Sequence, residues 1–160
     1  MSMNRQARPQ ILLVEDDEND VFFFERAVRK AEWAVELRVV RDGEAALECL
    51  RRGPAGPAGR PLAVDLLLLD LNLPVRHGLE VLRALREDPV LVTLPVVVLS
   101  SSASEADVSK AFALGARAYF EKPRHPDDLV RIIELVDGTW LRLGLRPRAP
   151  VPGVGRADGV

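Results

Sequence analysis

The chain holds 160 residues at 17.6 kDa, about one domain, with a core that removes roughly two-thirds of the unfolded surface from water. Its 48% hydrophobic and 29% charged residues and mean hydropathy of +0.02 exclude wholesale disorder, collagen and coiled coil. Twenty-two Lys and Arg against 24 Asp and Glu leave a formal charge of −2, without the basic excess of a dedicated nucleic-acid binder, so no nucleic-acid partner is expected.

The start, MSMNRQARPQ, is basic, but the apolar run that follows, ILLV (11–14), is cut off at once by Glu15, so no secretory segment forms. Residues 1–8 are expected to be flexible. Four further short apolar runs follow: ELRVV (36–40), LLLL (66–69), VVVL (96–99) and AYF (118–120). Between them lie stretches of helical period at about 18–31, 43–52, 78–87, 104–114 and 126–143. Ser104 with Asp107 three residues later resembles a capping box, and Gly115 stands where a C′ residue should. Near-continuous apolar strands imply burial on both faces, hence a parallel sheet between helix layers. Five β/α units with right-handed crossovers predict a flavodoxin-like α/β fold, a (βα)5 doubly wound sheet of order 2-1-3-4-5.

GPAGPAGRP (53–61) reads as a loop between the second helix and third strand, and residues 144–160, broken by Pro and Gly, as a tail. No second domain is read from the sequence. The lone Cys49 can form neither an internal disulfide nor a thiolate cage, and no run of ~18 apolar residues occurs, so a cytoplasmic protein without a membrane span is expected.

Four strands end in residues capable of chemistry: Glu15-Asp16-Asp17 after the first, Asp70 after the third, Ser100-Ser101-Ser102 after the fourth and Lys122 past the fifth. A parallel sheet gathers these ends on one edge, and ligands bind there, where the strand order reverses between strands one and three. Glu15, Asp16 and Asp70 flank that crevice. Carboxylates ~5 Å apart repel by about 3 kcal/mol per pair at an effective dielectric of 20, which a hard divalent ion relieves. Mg²⁺ suits an all-oxygen set, and the absence of nearby His or Cys argues against zinc. Taken singly, each residue also has a plain reading: Asp17 as a helix cap, Lys122 as a solvated turn lysine, Ser100 as the first residue of a turn. Their coincidence on one edge favours the joint reading.

These residues resemble the receiver domain of bacterial two-component response regulators. The resemblance rests on LLVEDD (12–17), LLLLDLNLP (66–74) with Gly78, PVVVLSS (95–101) and the run GA-R-AYFEKP (115–123), and covers about residues 9–143. It implies that Asp70 is the phosphoacceptor for a sensor histidine kinase. It further implies that Glu15, Asp16, Asp70 and the backbone carbonyl of Asn72 hold Mg²⁺, and that Lys122 and Ser100 contact the phosphoryl group. Ser100 and Tyr119 would form the switch, Tyr119 turning into space that Ser100 vacates, and Lys122–Pro123 would be a cis peptide. The tuning positions for hydrolysis fall on Asn72 and Ser102. Physical chemistry is consistent with these roles: a carboxylate is a competent nucleophile for phosphorus, and a cation, an ammonium and a hydroxyl can neutralise the transferring oxygens.

The Pro/Gly loop, SSSASEADV after strand four and WLRLGLRP near the end look like the small response regulators that partner bacterial phytochromes. That narrower likeness implies a bacteriophytochrome as kinase and a homodimer through helices four and five and the C-terminal segment. Trp140, Leu141, Leu143 and Leu145 continue the apolar pattern of the last helix and are expected to need covering. His77 stands where that group usually has Asp and reads as a solvated loop residue. Two alternatives remain open: a Mg²⁺-dependent phosphatase with an Asp nucleophile, disfavoured because Asn72 replaces the second Asp such enzymes need, and a receiver-like binding module that works without phosphorylation.

Overall fold

The apolar runs become five parallel strands in the order β2-β1-β3-β4-β5, as expected. They are β1 (Gln10–Val14), β2 (Glu36–Val40), β3 (Leu66–Leu69), β4 (Val96–Ser100) and β5 (Ala118–Glu121). The helices between and after them are α1 (Glu18–Lys30), α2 (Gly43–Arg52), α3 (Gly78–Glu87), α4 (Glu105–Ala113) and α5 (Leu129–Val136). The computed structural model describes residues 8–52 and 63–141; the expected N-terminal segment up to residue 7, the 53–61 loop and the 144–160 tail lie outside them.

Alternate residues of each central strand feed two cores. Leu12, Val14, Leu67, Leu69, Val96 and Val98 pack with Ala46 and Leu47 of α2, Val81 and Leu82 of α3 and Ala111 of α4. Ile11, Leu13, Leu66, Leu68, Val97 and Leu99 pack with Phe24 and Ala27 of α1 and Leu129 and Ile133 of α5. All four leucines of β3 are buried, and each fully buried leucine contributes roughly 2 kcal/mol of transfer free energy. The expectation of burial on both faces fails at β2, where every residue is exposed or half-buried. It is an edge strand, hydrogen-bonded on one side only.

Local signals set the helix ends. Asp17 caps α1, its carboxylate accepting from Asp20 N at 3.0 Å. Glu18 and Asp20 in the first turn and Arg29 and Lys30 in the last complement the helix dipole. Ser104 caps α4 by accepting from Asp107 N at 3.2 Å. The expected reciprocal half of a capping box is absent, because the Asp107 carboxylate accepts from the Ser102 hydroxyl at 2.6 Å instead. Gly115, at φ +101°, ends the segment as a C′ residue should. The 126–143 helix is corrected: a 3₁₀ turn at Pro126–Asp128 leads into α5, and a π-helical turn at Asp137–Leu141 follows it. Trp140, expected as surplus apolar surface, is buried in the core beneath α1 and α5, and Leu141 packs against the same core half-buried. Trp33 Nε1 donates to Asp137 Oδ1 at 3.0 Å and ties the α1–β2 connection to that turn.

Candidate phosphoacceptor and metal site

Because the strands are parallel, their carboxyl ends meet at one edge, and the ladder carries the chemistry-bearing residues into it. Glu15 N donates to Val40 O at 3.0 Å, and Asp70 N to Val14 O at 3.1 Å, so both continue strand spacing past β1 and β3. Ser100 is the last residue of β4 rather than the first of a turn, and Lys122 N donates to Ser100 O at 2.9 Å just beyond β5. Glu15, Asp70 and Ser100 are the polar or charged residues buried among those described.

Glu15, Asp16 and Asp70 each present a carboxylate oxygen within 4.8 Å of the others. Glu15 and Asp70 are buried and Asp16 is exposed. The set fits a hard divalent cation: every donor is an oxygen, and Asp16 leaves the site open to water and phosphate. Lys122 Nζ lies 2.7 Å from Glu15 Oε2 and 3.2 Å from Asp70 Oδ2. The second oxygens are held as well, Glu15 Oε1 by Asp17 N at 3.1 Å and Asp70 Oδ1 by Asn72 N at 3.3 Å. Burial, with Asp70 adding, pushes the Glu15 carboxyl up to about 7 against the opposing pull of Lys122. Burial works against the Lys122 ammonium too, yet the hydrogen bonds it donates to Asp20 and Glu15 and the charge of Asp70 outweigh it, and its pKa rises. Lys122 is therefore a pocket lysine and not a solvated one. The Lys122–Pro123 bond is trans, contrary to expectation, since no cis bond occurs among the described residues; Lys122 reaches the carboxylates without it.

Two residues close to the site take roles that the sequence alone does not assign them. Asp20, on the first turn of α1, takes a third bond from Lys122 at 2.8 Å; its signal was the acidity of the EDDEND run, overshadowed by the Glu15-Asp16 pair. His77 is not a solvated loop residue but the cap of α3, its Nδ1 accepting from Leu79 N at 3.1 Å. The start of α3 presses on the end of β3: a Cβ on Gly78 would stand 2.5 Å from Asp70 O and 2.7 Å from Leu71 Cα.

Tyr119 is buried, with its hydroxyl donating to Ser102 O at 2.5 Å. Burial pushes its phenol up, opposed by hydrogen bonds with Ser100 and Ser102. Ser100 Oγ accepts from Ser102 N at 3.2 Å, so Ser102 is bonded both to Ser100 and to the buried Tyr119 hydroxyl.

Residues 11–134 match the response regulator receiver domain family. The chain belongs to that family. Membership makes it a component of two-component signalling and implies a histidine kinase as phosphodonor. It is 36% identical over 140 residues to response regulator Rcp1 of Synechocystis, covering 87% of this chain and 93% of that protein. A crystal structure of the phosphorylated cyanobacterial phytochrome response regulator RcpA superposes with a TM-score of 0.76 at 36% identity, over 86% of this chain and 96% of that one. The Mn²⁺-bound form of Rcp1 superposes with a TM-score of 0.74 at 34% identity, over 87% and 99%. No described helix is long and apolar enough to cross a membrane.

Proposed function

We propose that this receiver accepts a phosphoryl group on Asp70 from a histidine kinase and passes the signal through a rearrangement around Ser100 and Tyr119. The observation that carries the reading is the convergence of Glu15, Asp16, Asp70 and Lys122 on one pocket at the sheet edge. Glu15, Asp16, Asp70 and the Asn72 carbonyl would hold Mg²⁺, which supplies neutralisation of the phosphoryl oxygens when bound. An Asp70 carboxylate oxygen attacks phosphorus, the bond from phosphorus to the kinase imidazole breaks, and an acyl phosphate results. The Asn72 N–H orients the carboxylate, Lys122 offers an N–H to a phosphoryl oxygen, and the Ser100 hydroxyl is placed one strand over to take another. Tyr119 then follows Ser100.

The protein is a phosphoacceptor that assists its own transfer rather than an enzyme acting on a separate substrate. It works in the cytoplasm as a receiver unit of residues 9–143. Its kinase is a bacteriophytochrome; similarity to a phytochrome response regulator over most of the chain supports this. It pairs as a homodimer through α4, α5 and the following segment. Trp140 no longer supports that interface, being in the core, whereas Leu135 on α5 is 54% exposed. Transfer of label from an autophosphorylated kinase, tested with and without Mg²⁺, decides the main reading. Uptake should require the metal and vanish in Asp70→Asn; metal-independent uptake, or uptake by the variant, would refute it.

A further inference from the structure

The Lys122 ammonium has three protons and three carboxylate acceptors: Glu15 Oε2 at 2.7 Å, Asp20 Oδ2 at 2.8 Å and Asp70 Oδ2 at 3.2 Å. The three are not equivalent. Glu15 and Asp70 belong to the acidic cluster suited to a divalent cation, and Asp20 is not among its members. Once a cation shares Glu15 and Asp70, both acceptors are weakened toward Lys122 and the cation repels the ammonium. Phosphorylation also removes the formal charge of the Asp70 carboxylate. Asp20 alone keeps its full charge for Lys122 throughout.

The surroundings leave Lys122 few other partners. The cavity beside it is walled by Phe23, Phe24, Leu99, Pro123 and Leu129, with Glu15, Asp20 and Lys122 as its charged members. A lysine stem lies along such a wall while its head reaches a polar partner, here the carboxylates. The position of Asp20 is fixed in turn by α1, because its backbone N–H is held by the Asp17 cap at 3.0 Å.

We infer that Asp20 is a positioning residue for phosphoryl transfer: it retains Lys122 at the pocket edge while Glu15 and Asp70 are committed elsewhere, so that the N–H given up by Asp70, the longest of the three contacts, passes to a phosphoryl oxygen. The inference rests on the proposed role of Asp70. No atom of Asp20 touches the reacting group.

The test combines spectroscopy and kinetics on the full chain. With ¹⁵N-labelled lysine, a slowly exchanging Lys122 Nζ–H signal should persist in the wild type before and after saturating Mg²⁺, and should be lost on Mg²⁺ addition in Asp20→Asn. With a small acyl-phosphate donor at saturating Mg²⁺, kcat/KM should fall about fivefold in Asp20→Asn, the size expected for one half-exposed charged hydrogen bond, and recover in Asp20→Glu. Adding Asp20→Asn to Lys122→Ala should cost nothing further, because Asp20 acts only through Lys122. Unchanged kinetics in Asp20→Asn, additive losses in the double variant, or an Nζ–H signal that survives Mg²⁺ without Asp20 would overturn the inference. Label uptake by Asp70→Asn, run alongside, would instead overturn the receiver reading on which it rests.

Discussion

At the scale of single residues, Glu15 is strongly displaced by its surroundings. Its carboxyl is pushed from 4.5 up to about 7 by burial, with Asp70 adding and Lys122 opposing. Over that range the folded protein holds a proton that the unfolded chain has released, so this group's contribution to the stability of the metal-free protein declines as pH rises from 4.5 to about 7. Thermal melts in chelator should show the decline, and Glu15→Gln should remove it. Cation binding needs the ionised carboxylate and so runs the other way, with affinity about tenfold weaker at pH ~6 than at pH ~8. A titration flat across that interval would place Glu15 outside the metal site. Val75, in the loop between Asp70 and α3, is strained in a different way. It adopts φ +66° while 83% exposed, a conformation that β-branched residues resist. Relief of that strain outweighs the extra chain entropy of glycine, so Val75→Gly should raise stability by about 0.5–1 kcal/mol. A lower melting temperature for the variant would contradict the strain.

At the scale of elements, the sheet edge depends on how closely α3 approaches β3. Gly78 permits it, since any Cβ there would collide with the backbone of Asp70 and Leu71. Gly78→Ala should therefore cost about 1–3 kcal/mol, as overpacking does, and should also slow phosphorylation by shifting Asp70. A stable variant with normal uptake would show that α3 can retreat freely. The central runs and the strand-end placement of Glu15, Asp70 and Ser100 were legible in the sequence because burial on both faces leaves a continuous apolar signature in β1, β3 and β4, and the sheet order followed from right-handed crossovers. The irregular end of the last helix was not legible. Gly138 stands in the π-helical turn, and an apolar pattern reports which residues want burial but not whether their own core takes them, as it takes Trp140. The partners of Lys122 were half legible: sequence pointed to the strand ends, while Asp20 arrives from a helix turn whose facing depends on packing. The cap at His77 was hidden because histidine is an uncommon residue in that role.

At the scale of the whole molecule, the chain is a receiver whose signal must leave by a surface. Self-association through α5 predicts that Leu135→Arg lowers the sedimenting mass at tens of micromolar without altering the melt, whereas Trp140→Ala should unfold the core first, at about 3–5 kcal/mol for a buried tryptophan. A wild type that stays monomeric, phosphorylated or not, would remove the dimer from the account. The central claim is narrower and sits at Asp70. Peptide-resolved mass spectrometry after reaction with a small acyl-phosphate donor and Mg²⁺ tests it directly. The account predicts a single phosphoryl group, on Asp70, and none on Asp70→Asn; a label on Asp16, Asp17 or Ser100 in the wild type would contradict it.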